Sequence, residues 1–171
     1  VAANSRYPLS LNVGFILHQS SGYFRDFEFN QSALKFDQDF NIEQFEGTLR
    51  LVRSTEGILA QGDFQATTRI ACMRCLEEYN QSIEINIQEL YSYPAGPEAD
   101  PIISIPETGI LDLTPTIREA MLVAIPIRPL CNLDCRGLCQ VCGNNLNQTS
   151  CQHEEEDIDP RLSILKTLLD S

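Results

Sequence analysis

Basic side chains are scarce in this sequence: 12 lysines and arginines stand against 24 aspartates and glutamates, for a net charge of −12. A protein that grips nucleic acid by its phosphates needs clustered Lys and Arg to displace condensed counterions. No such cluster occurs, so direct nucleic-acid binding is expected to be weak or absent, and a basic protein partner fits better. Long apolar runs are missing too. None approaches the roughly 20 residues a helix needs to cross a bilayer. The opening "VAANSRYPLSLNVGFIL" lacks the uninterrupted apolar stretch of a secretory signal. No membrane association and a cytoplasmic location are therefore expected. Neither a Gly-rich phosphate loop nor a Gly-x-Ser-x-Gly elbow is present. Histidine is limited to His153 and to His18, which reads as a solvated residue on the polar side of a strand.

Cysteine, by contrast, is plentiful. Of seven, four crowd into "CNLDCRGLCQVCGNN" at 131–145, two form "CMRC" at 72–75, and the last is Cys151. An odd count in short-spaced groups, in a reducing compartment, points to metal binding or catalysis before disulfides.

The first half of the chain alternates. Leu9, Leu11, Val13, Phe15 and Leu17 share one face of an expected strand, and Tyr23, Phe27 and Phe29 mark a second. Residues 31–41 read as loop or a short helix. Phe45, Leu49 and Leu51 share a face in a third strand, and "STEG" at 54–57 is turn chemistry. Ile58, Ala60, Phe64, Ala66 and Ile70 then share a face, followed by Ile83, Ile85, Ile87 and Tyr91. With Cys72 and Cys75 flanking a two-residue turn, Phe64 faces Ile83 and Ala60 faces Ile87, which puts both apolar sets on one side. The first CxxC is thus expected at the tip of a long hairpin. A Pro- and acid-rich connection covers 92–109, with one short strand at "IISI". A helix at about 114–125 starts at Thr114 and Pro115, or with Thr116 and Glu119 as a capping box, and stops before Pro126. Asp159 and Pro160 open a terminal helix with Leu162, Leu165, Leu168 and Leu169 on one face. The expected fold class is α+β. Residues 1–130 form a mainly antiparallel β sheet or barrel-like domain with a covering helix. Residues 131–171 form a Cys-rich, zinc-binding appendage and a C-terminal helix.

Zinc is held in structural sites by four thiolate or imidazole ligands, with C-x2–4-C pairs as half-sites. "CQVCG" is one, and "CNLDC" is a wider one. A segment so poor in apolar residues cannot fold by burial alone, and metal binding supplies the missing free energy. The expected ligands of one structural Zn2+ are Cys131, Cys135, Cys139 and Cys142, with Cys151 or His153 as substitutes for Cys131. A second arrangement joins Cys72 and Cys75 to the 139–142 pair, as in a split ribbon. A closed four-ligand site leaves no position for water and is structural, not catalytic. A thiol–disulfide role for Cys72 and Cys75 would want the first thiol at a helix N-terminus, and this pair lies in a β pattern. "HEE" at 153–155 imitates a zinc deaminase, but there the P-C-x-x-C half follows the histidine, and here the pairs precede it. The acidic run at 154–157 reads as a solvated approach to the terminal helix.

Three motifs, "CMRCLEEY", "CRGLCQVCGNNLN" and "DPRLSILKTLL", occur here in an order and spacing that resemble the YceD family, also called domain of unknown function 177. The resemblance runs from about the second strand to the C-terminus. It implies a cytoplasmic or plastid protein needed for the accumulation of large-subunit ribosomal RNA, with no enzymatic activity. It does not by itself imply metal binding. With the acidic charge, the expected partner is a basic large-subunit ribosomal protein or a pre-ribosomal particle. Two alternatives are a zinc-ribbon RNA-binding module using Arg50, Arg53, Arg69 and Arg74, and a CxxC redox protein.

Overall fold

A computed structural model describes residues 9–36, 40–94, 96 and 100–153. The expected terminal helix lies outside the described residues. The fold is α+β and mostly antiparallel sheet. Strand β1 (Ser10–Asn12) leads into a one-turn helix α1 (Gly14–Leu17). Four long strands follow: β2 (Phe24–Lys35), β3 (Asn41–Arg53), β4 (Gly57–Ala71) and β5 (Glu78–Ser92). A 3-10 turn (Pro101–Ile103), strand β6 (Ile110–Asp112) and helix α2 (Thr114–Ala124) complete the described elements. The long strands pair in sequence order into an open antiparallel sheet with β2 and β5 at its edges, so no barrel closes. β1 and β6 form a separate antiparallel pair.

Period-2 alternation decides the faces. Ile58, Ala60, Phe64 and Ala66 of β4 and Ile83, Ile85, Ile87 and Tyr91 of β5 are buried, while Gln61, Asp63, Gln65, Glu84, Asn86 and Gln88 look outward. Phe45 and Phe64 stack with ring centroids 5.3 Å apart. Gly47 leaves room for that stack: a methyl there would lie 2.7 Å from the Phe64 ring and 2.3 Å from the Asp63 carbonyl. A bulge between Glu43 and Glu46 shifts the register against β4, so that Ile42 as well as Phe45 reaches the core. Helix α2 covers the inner face over β5, with Ile117 and Met121 buried. The helix α1 beside the β1–β6 pair packs over β3 and β4.

Three expectations change. The alternation over residues 9–17 yields a strand only at 10–12, because the Asn12 carboxamide accepts from the Gly14 amide at 3.1 Å and turns the chain into α1. Residues 31–35 continue β2 rather than forming loop. "IISI" gives a 3-10 turn and an isolated bridge from Ser104 to Ser92, not a strand. Helix α2 ends as expected: Ile125, before Pro126, is extended at φ −64, ψ 126. Its first amide is capped by Asp112, whose carboxylate accepts from the Thr114 amide at 2.9 Å. No helix among the described residues is long and apolar enough to cross a membrane.

Candidate metal centre

The β4–β5 hairpin carries its CxxC at the tip, but with a wider turn than two residues. The ladder closes at Ala71 opposite Glu78, and Phe64 faces Ile85 rather than Ile83. The pairing is displaced by two positions, an even number, so every side chain keeps its face. The extra room is taken by a specific turn. The Cys72 amide donates to the Glu77 carbonyl at 2.9 Å, the Leu76 amide donates to the Cys72 carbonyl at 2.9 Å, and the Arg74 amide points at the Cys72 sulfur at 3.4 Å. Leu76 sits at φ 60, in the left-handed region.

The same turn recurs at 139–144. The Cys139 amide donates to the Asn144 carbonyl at 2.8 Å, the Gly143 amide to the Cys139 carbonyl at 2.9 Å, and the Val141 amide points at the Cys139 sulfur at 3.4 Å. Gly143 occupies the Leu76 position at φ 72. Both turns aim amide hydrogens at a sulfur that is to carry negative charge, as the surroundings of a ligating thiolate do.

Each turn anchors a different cluster. Cys72, Cys75, Cys131 and Cys135 bring their sulfurs within 4.8 Å of one another, and Cys139, Cys142, Cys151 and His153 do the same with sulfur and ring nitrogen. In the first cluster Cys72 and Cys135 sulfurs lie 3.8 Å apart, and Cys75 and Cys131 sulfurs 3.6 Å. A tetrahedron of sulfurs about 2.3 Å from a central zinc has edges of about 3.8 Å, whereas a disulfide needs about 2.05 Å. The donor sets therefore fit a tetrahedral metal ion, and both clusters could hold one.

The four thiols assigned to one site from the sequence, Cys131, Cys135, Cys139 and Cys142, are parted between the two clusters. The chain between them explains the division. The Leu138 amide donates to the Arg74 carbonyl at 3.0 Å, and the Met73 amide to the Pro129 carbonyl at 2.8 Å, so residues 129–138 lie along the hairpin tip. Gly137, at φ 77, makes this approach possible, since a methyl there would stand 3.0 Å from the Arg74 carbonyl oxygen. The Arg74 guanidinium donates to the Cys135 carbonyl at 2.8 Å. Cys131 and Cys135 are thereby delivered to Cys72 and Cys75, while Cys139 and Cys142 turn away toward Cys151 and His153. The substitutes Cys151 and His153 join the second cluster together. The split-ribbon alternative linked the hairpin pair to 139–142; the structure links it to 131 and 135.

Sequence reasoning missed Asn147. Its carboxamide donates to the Cys135 sulfur at 3.3 Å and to the Asn145 side chain at 2.8 Å, and it accepts from the Arg136 amide at 2.8 Å. The "NNLN" following the second CxxC was the available signal.

Electrostatics favour a cation in both clusters. Burial pushes the Cys72 thiol up, but the amides of Cys131, Cys75 and Arg74 outweigh it and bring the thiol from 9.0 down to about 6. Burial and the neighbouring Cys75, Cys72 and Cys135 push Cys131 up to about 12. In the second cluster the amides of Cys142 and Val141 bring Cys139 down to about 6, while Cys139, burial and Cys142 push Cys151 up to about 11. Within each cluster neighbouring sulfurs push one thiol up, and a divalent cation at the centre removes that penalty.

Residues 60–169 match the family model described as "Large ribosomal RNA subunit accumulation protein YceD". The chain is similar to an uncharacterized protein of Mycobacterium tuberculosis, 33% identical over 126 residues covering 71% of this chain and 60% of that protein. It is similar to one of Mycobacterium leprae, 30% identical over 126 residues covering 71% and 57%. It is also similar to the uncharacterized YlbN of Bacillus subtilis, 28% identical over 102 residues covering 58% and 59%. The chain thus spans about three-fifths of the length of these relatives. No solved structure matches it. The family match takes in the hairpin from Ala60 onward and every cysteine and histidine of both clusters, and the chain belongs to the YceD family.

Proposed function

We propose that this chain is a non-enzymatic ribosome-biogenesis factor that supports accumulation of large-subunit ribosomal RNA by binding a basic ribosomal protein, in the cytoplasm, with structural Zn2+ on its thiols. The observation that carries the reading is the family match and the process named in it. The form of the reading follows from charge. On the outward face of the sheet, register places Asp26, Glu28, Glu46, Asp63 and Glu84 in three adjacent rows with Arg50. A shallow depression of about 690 Å3 runs across the middle of this face. At one end lies the apolar row Phe24, Val52, Leu59 and Leu90, with Phe24 55% exposed. Acidic rows beside an apolar edge suit a cationic, partly apolar segment.

The RNA-binding alternative loses support at its own residues. Arg50 forms a two-pronged ion pair with Asp26 at 2.7 and 2.9 Å. Arg53 donates to the carbonyls of Ser54 and Gly57. Arg69 pairs with Glu78 at 2.7 Å, and Arg74 is bound to the Cys135 carbonyl. The redox alternative fares similarly, since a strand follows Cys75 and, among the described residues, no helix N-terminus faces either thiol. Closed sets of four ligands suit structural zinc, with no open position for substrate.

The test is capture of ribosomal proteins by the tagged chain in nuclease-treated lysate. Large-subunit proteins are expected at low salt and should be lost as salt rises. Their absence at low salt, with tight binding of ribosomal RNA fragments to the purified chain, would overturn the reading.

A further inference from the structure

The twin turns and divided thiols point beyond a single structural ion. We propose that the chain holds two tetrahedral, borderline-soft divalent cations (zinc in the cell), an inert one on Cys72, Cys75, Cys131 and Cys135 and an exchangeable one on Cys139, Cys142, Cys151 and His153. The proposal rests on the reading that these residues bind zinc, and adds the number of ions and their unequal exchange.

Two ions follow from geometry. Each cluster has four donors mutually within 4.8 Å, which completes a tetrahedron without borrowing from the other. Each also has its own CxxC turn with amides directed at sulfur.

Unequal exchange follows from access. A zinc ion with four ligands gives up its place most readily when an incoming donor can reach it and expand the coordination. In the first cluster Cys72 is fully buried and Cys75 and Cys135 are 3% exposed, with Tyr79 and Leu130 packed against them. Cys131 alone is exposed. Leaving that site also means parting the hairpin tip from residues 129–138, which share the Met73, Leu138 and Arg74 hydrogen bonds. In the second cluster Cys142 and His153 are exposed, and Cys139 and Cys151 half-buried. Its donors come from one short stretch of chain, so a chelator can displace one ligand without opening a packed interface. The donor sets differ as well, four sulfurs against three sulfurs and one nitrogen, which gives a spectroscopic label.

The experiment uses the full chain purified reduced and without chelator. Elemental analysis and native mass spectrometry are expected to give two zinc ions per chain. Excess 4-(2-pyridylazo)resorcinol should remove one quickly and the other about tenfold more slowly or slower still, as expected for a shielded tetrahedral site. Cys142→Ser should abolish the fast phase and keep the slow one. Its Co2+-substituted form should show the charge-transfer intensity of an all-sulfur site. Cys131→Ser, at the exposed member of the buried cluster, should remove the slow phase and leave a three-sulfur, one-nitrogen cobalt spectrum. One zinc per chain, a single release phase, or loss of the slow ion in Cys142→Ser would overturn the two-ion proposal. One tightly held ion would do so while leaving structural zinc intact, and no zinc at all would remove both. Should Cys131→Ser fail to fold, release from the unaltered chain and Cys142→Ser still decide the matter.

Discussion

At the scale of single residues, the two CxxC turns are the same object with different chemistry at the fifth position. A side chain in the left-handed region costs about 1–2 kcal/mol, which glycine avoids. Leu76 accepts that cost at the first turn, with its side chain 65% exposed. Gly143 avoids it at the second, where an added Cβ would meet nothing within 4 Å. Gly143→Ala should therefore act through backbone strain alone and weaken metal retention at the second cluster by about tenfold, since about 1.4 kcal/mol is a decade of affinity. Chelator competition on the purified variant measures it, and an unchanged midpoint would show that the turn carries no strain. The presence of thiol half-sites was readable in sequence because spacing is local. Their grouping was not, because Cys75 meets Cys131 across 56 positions, and only the hydrogen bonds between the hairpin tip and residues 129–138 bring them together.

At the scale of elements, alternation was enough to find the long strands, their buried faces and the hairpin with thiols at its tip. It could not give the register, which depends on how many residues the turn consumes. Nor could it show that Asn12 ends a strand or that β2 continues to Lys35, since both depend on what the neighbouring chain offers the backbone. The junction of β5 with α2 yields a further expectation. Tyr91 is fully buried, and its phenol shares a 2.7 Å hydrogen bond with the Thr116 hydroxyl. Burial, opposed by that bond, raises its pKa above the ordinary 10.0. The unfolded chain releases this proton near pH 10 and the folded chain keeps it, so the unfolded state binds fewer protons there. The stabilisation is complete below pH 10 and is lost as pH rises through the folded-state value. Tyr91→Phe should flatten this alkaline decline. At neutral pH it should cost about 1 kcal/mol for the lost hydrogen bond. Denaturant titrations at several pH values would show both, and an unaltered alkaline limb would place the titration elsewhere.

At the scale of the whole molecule, the deficit of basic residues was legible from composition, but its location was not. Register concentrates acids on the outward face of the sheet, while Arg50, Arg69 and Arg74 are held by Asp26, Glu78 and the Cys135 carbonyl. If that face receives a cationic partner, Glu46→Lys combined with Glu84→Lys should lower capture of basic ribosomal proteins several-fold and make it less dependent on salt. Both side chains are exposed, so melting should hardly move. Undiminished capture would move the interface off the sheet.

The distance along the chain between Cys75 and Cys131 has a temporal consequence. During synthesis the hairpin tip emerges first, and its partner thiols follow only after more than fifty further residues, at the ribosome's pace of about 5–20 residues per second. For those seconds Cys72 and Cys75 are an incomplete pair, open to oxidation or to the wrong ion, whereas the ligands from Cys139 to His153 emerge almost together. A nascent chain of this kind is safest where free zinc is scarce and thiols stay reduced until its last ligands are out.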